Sequence, residues 1–452
     1  MSLRGLVLAL VMIGLIIAVG EMQSWSVALA ILNLCLISSV MALGLNIQWG
    51  YAGLFNAGVM GFAALGGMAA VLVSVPPVTE AWTAGGLRLA AAVLAILLTV
   101  AAVVFLRARM RRSALRAWAT ALIVVVGYFV YRAAFDPAVE AIEAIDPART
   151  GFLGGMGLPI LFSWLVGGLL AAAAAWLIGR IALGLRSDYL AIATLGISEI
   201  VIAMLKNEDW LTRGVKNVAG LDRPVPYELD LQASQGFIDL VARLNAAELA
   251  GLAPAVHDSR LQSMVIDASS LAVKLCYAGL FALVLIILFV LSQRALSSPW
   301  GRMMRAIRDN EAAAAAMGKD VTFRHREVFI LGSAVIGIAG AMLVTLDGQF
   351  TPGTYNPLRF TFLIWVMVIV GGSGNNVGAV LGGFLVWFLW IEAEPAGLWL
   401  MDALTSGLGE DSALRAHLIE AAPHTRLLMM GLLLLLVLRF SPRGLLPEKT
   451  RR

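Results

Sequence analysis

The sequence holds only two cysteines, Cys35 and Cys276, both inside apolar runs. A pair so placed supports neither a disulfide framework nor a thiolate metal site, and both read as small packing residues. Histidine is equally scarce: His257, His325, His417 and His424 fall in connections, with none at metal-ligand spacing. No Gly-x-Ser-x-Gly nucleophile elbow is present. The one glycine-rich candidate for phosphates, Gly371-Gly372-Ser373-Gly374, lacks a following Lys-Ser or Lys-Thr, which excludes a Walker A loop and ATP hydrolysis by this chain. Charge is also in short supply, at 14% of residues against roughly 25% in soluble domains. No catalytic residue, bound cofactor or metal is therefore expected.

Hydrophobic residues are plentiful, at 60%, and the mean hydropathy is +0.87. Apolar runs of roughly 17 to 25 residues recur, the length a helix needs to cross about 30 Å of hydrocarbon. The fold class expected is all-α, a polytopic transmembrane bundle forming one domain over 1–452 with ten to twelve spans. Spans are expected near 5–20, 24–44, 57–74, 87–106, 117–134, 159–182, 188–205, 272–293, 327–346, 359–371, 377–391 and 425–440. The last pair before the final span flanks Gly371 to Asn376 and is short, so two half-depth helices around a break are an equal reading. Met1 to Gly5 and the run to Gly20 carry a signal-like charge pattern without a small-x-small site, and are taken as a retained first span.

The net charge of +4 reflects Lys and Arg clustered in short connections, which orient spans and imply no nucleic-acid partner. Arg107, Arg109, Arg111, Arg112 and Arg116, and the tail residues Arg443, Lys449, Arg451 and Arg452, should be cytoplasmic. The connection 135–158, with Asp136, Glu140, Glu143 and Asp146 against Arg149, and 392–424, with six acids against Arg415, should face outward. Span parity then places both termini inside and 206–271 outside, as an extracytoplasmic insertion.

The basic connection 294–326 is expected to be cytoplasmic. Within it, Arg302, Arg305 and Arg308 recur every three residues, and Glu311 with Ala312 to Ala316 leads to Gly318. That pattern predicts a short amphipathic helix, either docking a partner or anchoring adjacent spans in lipid headgroups. Asn46, Gln48, Tyr51, Asn56, Asn375 and Asn376 lie near glycine-rich backbone, where polar groups either line a wet pathway or bond neighbouring helices. Glu199 lies mid-span, as a salt-bridge partner or as a gating or substrate-ammonium contact. Gly378-Ala379-Val380-Leu381-Gly382 reads as close helix packing, and Asp188 and Tyr189 mark a cytoplasmic span end.

Several stretches together resemble the LivM-type branched-chain amino acid permeases, membrane subunits of ATP-binding-cassette importers. They are Leu43 to Gly53, Ser187-Asp188-Tyr189-Leu190-Ala191-Ile192-Ala193-Thr194-Leu195, Ser298 to Gly318, Gly371 to Gly374, and Ser441-Pro442-Arg443-Gly444-Leu445-Leu446-Pro447-Glu448. The resemblance implies that Glu311-Ala312-Ala313 with Gly318 is the loop that docks on an ATPase subunit, with ATP bound by partner subunits. It also implies a second, LivH-like permease as heterodimer partner, a periplasmic binding protein, lipid surroundings, and a bacterial inner-membrane location. Branched-chain or related amino acids are the implied cargo, with urea or short amides as the alternative and a self-sufficient secondary transporter as a further one. The chain departs from that family's pattern in the hairpin around Arg107 to Arg116 and in 206–271, which look like insertions. It also departs in Leu54-Phe55-Asn56-Ala57-Gly58, where relatives more often carry serine and histidine.

Overall fold

A computed structural model describes residues 3–146, 150–185, 187–250, 252–408 and 412–448. Of the charges used to orient the chain, Arg149, Glu410, Asp411, Lys449, Arg451 and Arg452 lie outside the described residues, as does Met1.

Helices follow one another as α1 (Leu3–Met22), α2 (Trp25–Leu45), α3 (Val59–Ser74), α4 (Thr79–Arg109), α5 (Ala114–Glu143), α6 (Leu161–Ala182) and α7 (Ser187–Asn207). Four short helices come next: α8 (Asp209–Thr212), α9 (Glu228–Ala233), α10 (Gln235–Leu244) and α11 (Ala246–Leu249). The chain continues with α12 (Pro254–Ser297), α13 (Pro299–Asp309), α14 (Glu311–Ala316), α15 (Val321–Asp347), α16 (Pro357–Gly371), α17 (Asn376–Thr405), α18 (Ala413–Glu420) and α19 (Thr425–Phe440). Among the described residues ten helical segments are long and apolar enough to cross a membrane, and α3 and α16 are shorter apolar helices. Each of the twelve expected spans falls on one of these twelve, and the chain is a multi-pass membrane protein.

Local chemistry sets the boundaries. Ser24, Asp320 and Asn375 cap α2, α15 and α17 by accepting backbone N–H groups of the first turn. Proline occupies the first position of α12, α13 and α16, where its missing N–H costs nothing. Gly348 ends α15 in the left-handed region at φ 65°.

Three expectations are corrected. The span at 272–293 belongs to a helix of 44 residues, about 66 Å long against about 30 Å of hydrocarbon. Residues 254–271, expected as part of the 206–271 insertion, are therefore helical and continuous with the span. The helix expected over 377–391 runs 30 residues to Thr405 through Pro395, so it is no half-depth segment; α16, at 15 residues, is the short member. Cys35 is buried, but Cys276 is exposed on α12 and is not a core packing residue.

The core forms where α2 and α15 are apolar all round and buried over most of their length, with α3, α6, α16 and α17 packed about them. Small residues bring the backbones together. A methyl on Gly66 would lie 1.9 Å from the Gly337 carbonyl oxygen, and one on Gly340 equally close to that of Ala63. The run Gly378 to Gly382 packs α17 on α16 in the same way, against Gly371 and Met367. By contrast α4 and α5 pack mainly on each other and expose most of their apolar side chains.

Because α15 starts beside α14 and ends at Gly348, the bundle has two distinguishable ends. At the Gly348 end, β1 (Val218–Ala219) pairs antiparallel with β2 (Gln349–Phe350), Val218 opposite Phe350. Leu221 N–H also donates to the Gly348 carbonyl at 3.1 Å. The 206–253 segment is thus fastened to the end away from α14.

Candidate coupling site and polar junction

The connection between α12 and α15 is two helices broken at Asn310, not one. In α13, Gly301, Met304 and Ile307 are buried. Asn310 starts α14 by accepting the Ala313 N–H at 2.9 Å, and Gly318 closes it in the left-handed region at φ 78°. Glu311, Ala312, Ala313 and Gly318 are exposed, and Met317 is 80% exposed. The α14 segment is a short projection whose root is fixed and whose surface is free.

The three arginines of α13 do not form the free row that their spacing predicts. Arg302 is exposed and, among the described residues, reaches only the Ser297 carbonyl, at 3.3 Å. Arg308 turns inward, pairing with Glu448 at 2.9 Å and donating to the Gly50 carbonyl. Burial works against its charge, but Glu448 and Asp309 more than offset it and hold the guanidinium above the usual arginine range. Arg305 donates to the Leu296 carbonyl at 2.9 Å, lies 3.6 Å from Glu448 and sits over the Tyr51 ring at 5.8 Å.

Glu448 is itself anchored. Leu445 and Leu446 N–H groups donate to the carbonyls of Val370 and Gly371 at 2.8 and 3.0 Å. Asn375 Nδ2 donates to the Leu446 carbonyl at 3.1 Å. Gly372 admits the tail: its φ is 113°, and a methyl there would strike the Leu446 carbonyl at 2.3 Å.

Behind this clasp, four of the pathway candidates bond to one another. Asn46 Nδ2 donates to Asn376 Oδ1 at 3.0 Å, and Asn46 Oδ1 accepts the Gly374 N–H at 2.9 Å. Asn376 Nδ2 donates to Gln293 Oε1 at 3.1 Å. Gln48 Nε2 donates to the Phe329 carbonyl at 2.9 Å and to Ser333 Oγ at 3.0 Å, while its Oε1 accepts from Asn56 Nδ2 at 2.8 Å. The Trp365 indole closes the set on the Asn56 carbonyl at 3.0 Å. Asn46, Gln48 and Asn56 are wholly buried. Here the π-helical turn Asn46–Gly50 that follows α2 is joined by hydrogen bonds to α15 and α17, through Asn376 to α12, and Asn56 to α16, at one end of the bundle, the condition under which buried polar groups rigidify a fold.

Sequence reasoning missed Gln293, Ser333 and Trp365 as members. Their signal was weak, each being one polar group in an apolar run. Tyr51 and Asn375 line a cavity of about 740 Å³ with Gln293, Arg305 and Glu448, between α12, α17 and the tail. Glu199 does not join the others. It is exposed on the outer side of α7 beside Ile200, and no described residue pairs with it; Thr194 and Ser198 face α3 instead.

A family profile described as the branched-chain amino acid transport system permease component matches residues 141–438. The match begins in the last turn of α5, so nearly all of the α4–α5 hairpin lies before it. The chain is 27% identical over 284 residues to the high-affinity branched-chain amino acid transport system permease protein LivM of Escherichia coli (strain K12), covering 62% of this chain and 56% of that protein. A probable branched-chain amino acid transport permease protein LivM of Methanocaldococcus jannaschii is 27% identical over 173 residues, covering 38% of this chain and 47% of its own. The alignments thus take in about half the length of the curated relatives. No solved structure matches the chain. The profile covers well over half of the sequence, and the chain belongs to the family of branched-chain amino acid transport system permease components.

Proposed function

We propose that this chain is the membrane-spanning subunit of an ATP-binding-cassette importer for branched-chain amino acids. It lies in the bacterial inner membrane with both termini and α14 on the cytoplasmic side. The 206–253 segment then faces the binding protein that delivers cargo. Separate ATPase subunits bind ATP, and a second, LivH-like permease completes the pathway.

The observation that carries this reading is the exposed Glu311 to Gly318 projection rooted in a clasped junction. A partner seated on α14 pushes on α13, and Arg308 passes that displacement to Glu448, Gly50 and the α16–α17 turn. Close packing makes such shifts rigid-body steps between discrete arrangements. The chain acts as the gate, and the chemistry that drives it happens in the partner.

Glu311→Lys reverses the one charge at the root of α14, and Gly318→Pro demands a φ near −65° where the backbone holds 78°. Both variants are expected to insert normally, to lose ATPase subunits on gentle purification, and to abolish leucine uptake. Uptake at the level of the unaltered chain in both would overturn the docking role.

A further inference from the structure

A second cavity, of about 230 Å³, lies between α2, α3, α15, α16 and α17 toward the end away from α14. Asp347 and Thr354 are exposed and line it, placing its mouth beside the segment that β1 and β2 fasten. Its walls are aliphatic and aromatic, among them Ile37, Met41, Ile364, Trp387 and Trp390.

Its polar groups differ in kind from those of the clasped junction. No described residue pairs with the Asp347 carboxylate. The Trp387 indole nitrogen is buried and has no hydrogen-bond partner among the described residues; the same is true of the Tyr355 hydroxyl, which packs against Gly67 of α3. Buried donors are normally paired, and one left unpaired calls for an explanation. An apolar cavity of about 150 Å³ already accommodates benzene, so this one is large enough for a small metabolite with an aliphatic group.

We infer that this cavity is a binding site for one zwitterionic α-amino acid with a branched aliphatic side chain. Asp347 at the mouth meets the ammonium group. The Trp387 indole N–H donates to the carboxylate, and the aliphatic wall takes the side chain. The inference rests on the reading of the chain as an amino acid permease and adds where within this one subunit the cargo is held.

The test is equilibrium binding of tritiated L-leucine to the purified full chain in lipid nanodiscs. Binding should be saturable and displaced by L-valine and L-isoleucine. Isocaproate, which lacks the ammonium, and isoamylamine, which lacks the carboxylate, should not compete. Asp347→Asn and Trp387→Phe keep shape and ring while removing the charge or the N–H, and each should weaken binding about tenfold, the loss of one good polar contact, with unchanged melting temperature. No saturable binding by the unaltered chain, or equal binding by both variants, overturns the site. Leucine uptake measured alongside in cells holding the partner subunits separates the two readings: normal uptake in both variants refutes the site alone, and no uptake by the unaltered chain refutes the importer reading.

Discussion

Two polar clusters of the bundle, the junction beside α14 and the lining of the 230 Å³ cavity, differ in how their buried groups are satisfied. Beside α14, Asn46, Gln48, Asn56 and Asn376 are paired with one another or with backbone, and Arg308 is paired with Glu448. At the cavity, Tyr355 and Trp387 each keep a buried polar atom without a partner among the described residues. Satisfied networks fix one geometry, whereas unsatisfied groups around open space fit a ligand that comes and goes. On the proposed reading, the junction is the stiff lever where force enters and the cavity the adaptable chamber where cargo rests.

The contrast predicts that similar changes will have different effects at the two ends. Gln48→Leu is expected to be the most damaging. It removes three hydrogen bonds and leaves Phe329, Ser333 and Asn56 without their partner. At about 0.6 kcal/mol per bond, the average measured inside a membrane bundle, the cost is about 2 kcal/mol before the stranded partners are counted. Denaturation of the purified chain in detergent, followed by loss of the monodisperse species, measures it. An unchanged midpoint would mean that the junction is not what holds these helices.

How much of this was legible beforehand depended on range in sequence. Spans were readable because an apolar run declares its own length, and α12 was cut short at 272 because Asp258, Arg260 and Asp267 interrupt its first turns. Asn310 as a break was readable in principle, since asparagine caps helices well. The pairing of Asn46 with Asn376, 330 positions away, was not, because periodicity reports which face a residue occupies and not what lies opposite. For the same reason the arginine spacing in α13 did not reveal that the tail covers Arg305 and Arg308 while Arg302 stays exposed. The cavity was least legible of all. Asp347, Tyr355 and Trp387 come from three separate segments, and each alone reads as an ordinary span-end or aromatic residue.

A smaller effect is expected at the turn between α16 and α17. Asn375→Ala removes a cap that accepts the Val377 and Gly378 N–H groups and a donor that holds the Leu446 carbonyl. Loss of such a cap costs about 1 kcal/mol. The tail is also loosened, so leucine uptake should fall more than the stability loss explains. Equal and small changes in both would show that the tail only packs and carries no displacement.

The smallest effect on stability, and the sharpest contrast with Gln48→Leu, belongs to Ser38→Leu. Ser38 is 4% exposed, lines the 230 Å³ cavity and hydrogen-bonds to no described residue, so exchanging its hydroxyl strands nothing. The added carbons enter space already open, where packing contacts contribute from zero to about 1 kcal/mol of stabilisation. The midpoint of denaturation should therefore hold or rise slightly while leucine binding disappears, because the side-chain pocket is filled. A polar-to-leucine exchange would then be damaging at one end and harmless to folding at the other. Should Ser38→Leu destabilise the chain as much as Gln48→Leu, the outer half is as tightly specified as the junction, and the distinction between lever and chamber fails.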